Sequence, residues 1–116
     1  MMVNNGLNQV RNLMSSGTGL RPTIGVVGSF SFTPAASDSA LTGSYFGDNF
    51  DSNTVTDKTN NYEFLVVATE ANNATIYSAG IYNTNSVLFA EDTFVSLQKT
   101  GSMEVQFDIN ITYVNI

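Results

Sequence analysis

The side chains with most chemistry to offer are carboxylates. Asp48, Asp51 and Asp57, with Glu91 and Asp92 further on, carry oxygens that could coordinate a hard cation such as calcium, which takes roughly 6–8 of them. No Asp-x-Asp-x-Asp-Gly loop is present, so no metal is expected. General acid–base work needs two carboxyl groups converging on one pocket, and Glu63, Glu70, Glu91 and Glu104 give no local sign of doing so. Serine and threonine abound, but there is no histidine and no cysteine, and a nucleophile would have only Lys58 or Lys99 to activate it. Gly25, Gly28 and the run Gly17, Thr18, Gly19 match no phosphate-cradling pattern leading into a helix. The expectation is a non-enzymatic chain with no catalytic residue and no cofactor.

Binding chemistry is thinly marked as well. Tyr45, Tyr62, Tyr77, Tyr82 and Tyr113 could stack on sugars, although aromatic residues in strands more often fill a core. Asn73 and Asn110 begin glycosylation sequons, a pattern common by chance, and Asn110 falls inside a strand-like run. Ten acidic against four basic residues give a net charge of -6, which repels phosphate backbones and anionic lipid; neither nucleic acid nor membrane is an expected partner. No apolar run reaches the roughly 20 residues of a membrane-crossing helix, nor does residues 24–27 make a signal-peptide core, so the mature chain is expected to start near Met1.

Something must hold these residues in place, and the composition says what kind of scaffold. Only 12% of residues are charged, and the polarity comes from Asn, Thr and Ser, which suit strands and turns better than exposed helices. At 116 residues one core is expected, hence a single domain over residues 1–116.

The strongest local signal is residues 102–116. Met103, Val105, Phe107, Ile109, Ile111 and Tyr113 alternate with polar neighbours, the period of a strand with one buried face. At Tyr113 and Val114 the alternation breaks, placing Val114 and Ile116 on the opposite face, where a bulge or a subunit contact would cover them. Residues 5–16 form the one plausible helix: Leu7, Val10, Leu13 and Met14 fall at helical spacing, Asn5 can cap the start and Gly17 the end. It reads as an arm lying on the sheet or on a neighbouring subunit.

Between them come β-branched residues 23–27, continuing extended to Phe32, then a loop with one helical turn near Ser37 and Asp38. An aromatic-rich strand over residues 43–50 follows. A hairpin is expected to turn at Asn60 and Asn61, with residues 62–68 buried on both faces as a central strand. Strands over residues 75–82 and 87–97 complete the set. The expected fold is all-β, an antiparallel β-sandwich of about 7–8 short strands with one short N-terminal helix.

The order of these segments resembles a family of small structural proteins encoded among the tail and virion genes of tailed phages and related prokaryotic viruses. The resemblance runs over nearly the whole chain: the helix from Gly6 to Leu13, the edge Ile24 to Gly28, and Thr33, Pro34, Asp38 and Leu41 in the loop. It continues with Glu70, Ala71 and Asn72, then Ile76, the stretch Ala79 to Asn83, Leu88, Phe89, Ala90, Phe94, Lys99 and Thr100. Departures fall at Phe30 and Phe32, where the family has small residues, at Glu91, where a basic residue is common, and at Ile109, where tryptophan is frequent.

The resemblance implies a non-enzymatic virion structural protein, assembled in the host cytoplasm as a symmetric oligomer in the tail, baseplate or fibre-attachment region. It supplies no catalytic residues. A capsid decoration or turret protein is the second reading, and a fibre module binding host surface glycan the third. Expected partners are copies of the chain and other virion proteins. The expected interface residues are Leu7, Val10, Leu13 and Met14 on the helix and Val114 and Ile116 at the end of the last strand.

Overall fold

The computed structural model describes residues 1–15, 21–56 and 59–112, apart from the side chains of Met14 and Thr56. Helix α1 (Asn4–Ser15) precedes seven strands: β1 (Ile24–Gly28), β2 (Ser44–Asn49), β3 (Ser52–Thr56), β4 (Thr59–Val66), β5 (Thr75–Tyr82), β6 (Leu88–Gln98) and β7 (Val105–Thr112). They form a four-stranded sheet in the order β2-β1-β5-β6 and a three-stranded sheet in the order β3-β4-β7, with every ladder antiparallel. The chain is an all-β sandwich with one short helix, as its composition and periodicity predict.

Apolar residues contributed by both sheets make the core. Val27, Ile76 and Ala79 of the larger sheet meet Phe64 and Val66 of the smaller; further along, Ile81, Phe89 and Ala90 meet Tyr62 and Ile111. The layers touch at Gly25, where a β-carbon would overlap the Phe64 ring, so glycine lets that ring lie against β1. Phe64 stacks in turn on Phe107 of β7, with centroids 5.0 Å apart.

Several expectations need correcting. Residues 29–32 do not extend β1, which ends at Gly28; they start a loop that folds back over the larger sheet, seating Leu41 beside Gly28 and Gly80. In place of a helical turn, the Asp38 carboxylate and carbonyl of Ala35 close a short turn: Ala35 N–H donates to Asp38 Oδ2 at 3.0 Å, and Asp38 N–H donates to the Ala35 carbonyl at 3.0 Å. The β3–β4 hairpin exists, but Asn60 and Asn61 stand within β4 opposite Val55 and Thr54, the last pair being Thr56 with Thr59. Asn61 instead donates across the ladder to the Asn110 side chain at 2.7 Å. β4 is central in its sheet, yet Tyr62, Phe64 and Val66 are buried while Glu63 and Leu65 are half-exposed, so one face is covered and not two.

Helix α1 begins one residue earlier than expected, and Ser16 lies outside the described residues. Ahead of it, Met1 to Val3 run antiparallel to β6: Met2 bridges Ala90, Val3 N–H donates to the Phe89 carbonyl at 2.9 Å, and Glu91 N–H donates to the Met1 carbonyl at 2.9 Å. The helix then approaches β6 so closely at Gly6 that a β-carbon would stand 2.5 Å from the Phe89 backbone.

Candidate functional site

Where the two sheets end on one flank, β6 and β7 do not close over each other. A cleft of about 410 Å³ opens between them, walled by Phe94, Phe107, Ile109 and Ile111, with Met2 at one end and Ala79 and Gly80 at its base. Phe94 leans over it toward Phe107, ring centroids 5.9 Å apart. What aims Phe94 is a bulge: between the pairs Ser78–Thr93 and Ile76–Leu97, β5 has the single residue Tyr77 while β6 has Phe94, Val95 and Ser96. Those extra residues throw Val95 outward, 92% exposed. Glu91, Asp92 and Asp108 also line the cleft, and no Lys or Arg does.

Glu91 is the one acidic residue buried among the described residues, at 2% exposure, and neither carboxylate oxygen has a hydrogen-bond donor among them. Burial first, and then the Asp38 carboxyl across from it, push its pKa up to about 7. The same contact holds Asp38 below the usual carboxylate range, helped by the Ala35 N–H. Tyr82, whose hydroxyl accepts the Leu41 N–H at 2.6 Å, is raised by its own burial and further by the charge on Glu91. Asp38 has the Ala35 N–H, and Glu91, whose carboxyl faces it, shares a proton with it, acting as an acid that ties β6 to the loop carrying Asp38. This convergence is not legible in the sequence, because the partners lie in unrelated segments.

Four other carboxylates serve the backbone. Asp51 accepts the Leu65 N–H at 2.6 Å, Glu70 the Val67 N–H at 3.0 Å, Asp92 the Thr93 N–H at 2.9 Å and Asp48 the Asn49 N–H at 2.8 Å. Glu63 accepts from the Ser52 hydroxyl at 2.8 Å. Asp57 lies outside the described residues, among which no three potential metal-ligating side chains come together. Lys99, considered above as a base, is fully buried, and its ammonium donates to Asn72 Oδ1 at 3.0 Å, the Thr100 carbonyl at 2.9 Å and the Ala68 carbonyl at 3.4 Å. Through these three acceptors it pins the loop after β4 to the end of β6.

The expected interface residues part company. Val10 is half-buried against the cluster around Phe89, whereas Leu7 and Leu13 remain 40% and 41% exposed. The Met14 side chain, Val114 and Ile116 lie outside what the structure describes, as does Tyr113. Of the other tyrosines, Tyr62 is buried, Tyr77 and Tyr82 are half-buried and Tyr45 is exposed on β2, so they form no stacking platform. No described helix is long and apolar enough to cross a membrane.

Fold and cleft together define an antiparallel β-sandwich with one open flank and a helical arm clipped beside it. Compared with family models, curated proteins and solved structures, the chain matches none.

Proposed function

We propose that this protein is a non-enzymatic structural subunit of a tailed virus particle, forming a symmetric oligomer in the tail, baseplate or fibre-attachment region. The virion setting rests on the resemblance of its ordered segments. The observation that carries self-assembly is the arm. Gly6, Val10 and Leu13 recur at helical spacing on one side of α1; β6 lies against the first two, while Leu13, and Leu7 on a different side of the helix, stay exposed. Two leucines on a helix of only 12 residues are costly to leave wet, and a symmetry mate would cover them.

The test has two arms. Particles of the virus encoding this chain should contain it in stoichiometric copy number by quantitative mass spectrometry; absence from purified particles ends the virion reading. The isolated protein should be oligomeric by light scattering, and Leu7→Asp with Leu13→Asp should give folded monomers. A wild-type monomer at high concentration, or an unchanged oligomer in the double variant, removes the arm as the interface.

A further inference from the structure

We infer that the free edge of β7 is a docking edge for an extended segment of another protein, one that alternates apolar with Lys or Arg residues and serves as the fourth strand of the smaller sheet. The inference goes beyond the arm-mediated assembly above and involves a different surface.

The argument starts from how unequally the chain treats its sheet edges. An unpaired edge strand is a template for any passing strand, and proteins blunt such edges by shortness, bulges, prolines or covering segments. β2 and β3 are short, at six and five residues. β6 is protected twice over: Met1 to Val3 pair with Phe89 to Glu91, and the bulge at Phe94, Val95 and Ser96 breaks the strand further along. β7 has none of these devices. Its eight residues pair with β4 without a register shift, it contains no proline, and no described residue pairs with its other edge.

The sandwich is also one strand short on that flank. Four strands face three, and the shortfall lies beside the cleft, where Phe94, Phe107 and Ile109 are only partly covered. A strand added to β7 would continue the smaller sheet across the mouth of the cleft. By the two-residue period of a strand, alternate side chains would fall over Phe94 and Phe107, and the others on the outer face beside Asp108.

Charge selects the occupant. The described residues lining the cleft include two exposed acids, Asp92 and Asp108, and no Lys or Arg; Glu91 is buried against Asp38, and the Met1 amino group at the rim already donates to the Glu91 carbonyl at 2.9 Å. A second copy is the poorer fit, because two β7 edges would bring Asp108 of each copy onto one ribbon between chains of net charge -6. An apolar-basic strand meets both the apolar wall and the acidic rim.

The probe is a ten-residue synthetic peptide alternating valine with lysine, added to the full-length protein and followed by amide hydrogen exchange and fluorescence anisotropy. Slowed exchange is expected at β7 amides and not at β2 or β3. Affinity should fall at least tenfold when the peptide carries N-methyl groups at alternate positions, when glutamate replaces lysine, and in the exposed-site variant Asp108→Lys. Exchange in β7 that is unchanged at saturating peptide, or equal affinity for the glutamate peptide, overturns the proposal. So does β7 protection that rises with protein concentration without peptide, which would make the occupant another copy.

Discussion

Glu91 stands where three segments meet. Its backbone pairs with Met1, its carboxyl faces Asp38, and the Tyr82 hydroxyl that anchors Leu41 lies within reach of its charge. Below its native pKa of about 7 the acid is neutral and can bridge to Asp38; above it, a buried negative charge faces the half-exposed one on Asp38. In the unfolded chain the same group ionises near 4.5. Between these values the folded protein therefore holds more protons than the unfolded one, and the contribution of Glu91 to stability falls as pH rises from about 4.5 to about 7, then levels off. Asp38 runs the other way: its depressed pKa contributes stability above its unfolded value of 3.8, lost as pH drops below that. Glu91→Gln, neutral at every pH, should flatten the slope between 4.5 and 7 and raise the melting temperature at pH 8 relative to the parent while leaving it similar at pH 5. Parallel melting curves for parent and variant at both pH values would show that the pair is not coupled. No reading of the sequence could have found this pair, because its members stand 53 positions apart (91 minus 38) with no periodic relation between them.

Elements were legible in proportion to how local their determinants are. β7 alternates apolar and polar residues strictly, and the structure buries or half-buries Val105, Phe107, Ile109 and Ile111 while exposing Gln106, Asp108 and Asn110. β5 begins and ends at the residues its flanking turn signals mark, Thr75 and Tyr82. Asn60 and Asn61 misled because turn propensity is weaker than a good cross-strand partner, which Asn110 supplies. Helix α1 was readable from its spacing, but the residue that seats it was not: Gly6 is a poor helix former, kept where backbone meets backbone. Gly6→Ala should therefore act against propensity. Although alanine favours a helix by about 1 kcal/mol over glycine, the overlap with Phe89 should make the change destabilising by about 1–3 kcal/mol and loosen the arm. Limited proteolysis should cut near residues 4–15 faster in the variant while the sandwich survives; a more stable Gly6→Ala protein with a protected arm would mean that the helix does not rest on β6.

At the scale of the whole molecule, the open flank poses a hazard that the N-terminus contains. β6 and β7 are adjacent edges with an apolar cleft between them, and β6 at 11 residues is the longest strand among the described residues. Were both edges free, the flank would offer two parallel templates for aggregation. The first three residues remove one of them: Val3 is fully buried and its N–H is donated to the Phe89 carbonyl at 2.9 Å. Val3→Pro deletes that donor and part of the buried side chain, leaving the Phe89 carbonyl exposed on an edge. The direct thermodynamic cost is modest, about 1–3 kcal/mol for an orphaned acceptor, so near-neutral conditions should still leave a folded sandwich with its near-UV circular dichroism intact. The larger effect should be kinetic and concentration-dependent. Incubated below its melting temperature, the variant should scatter light and bind thioflavin T at concentrations where the parent stays clear, and it should do so without any change in the Leu7 and Leu13 contact. Because aggregation through freed edges requires strand pairing, adding a second substitution that places lysine at the outward Val95, 92% exposed, should suppress it. If Val3→Pro aggregates no faster than the parent, or if lysine at position 95 gives no relief, the terminal clip is not what keeps β6 from recruiting other strands.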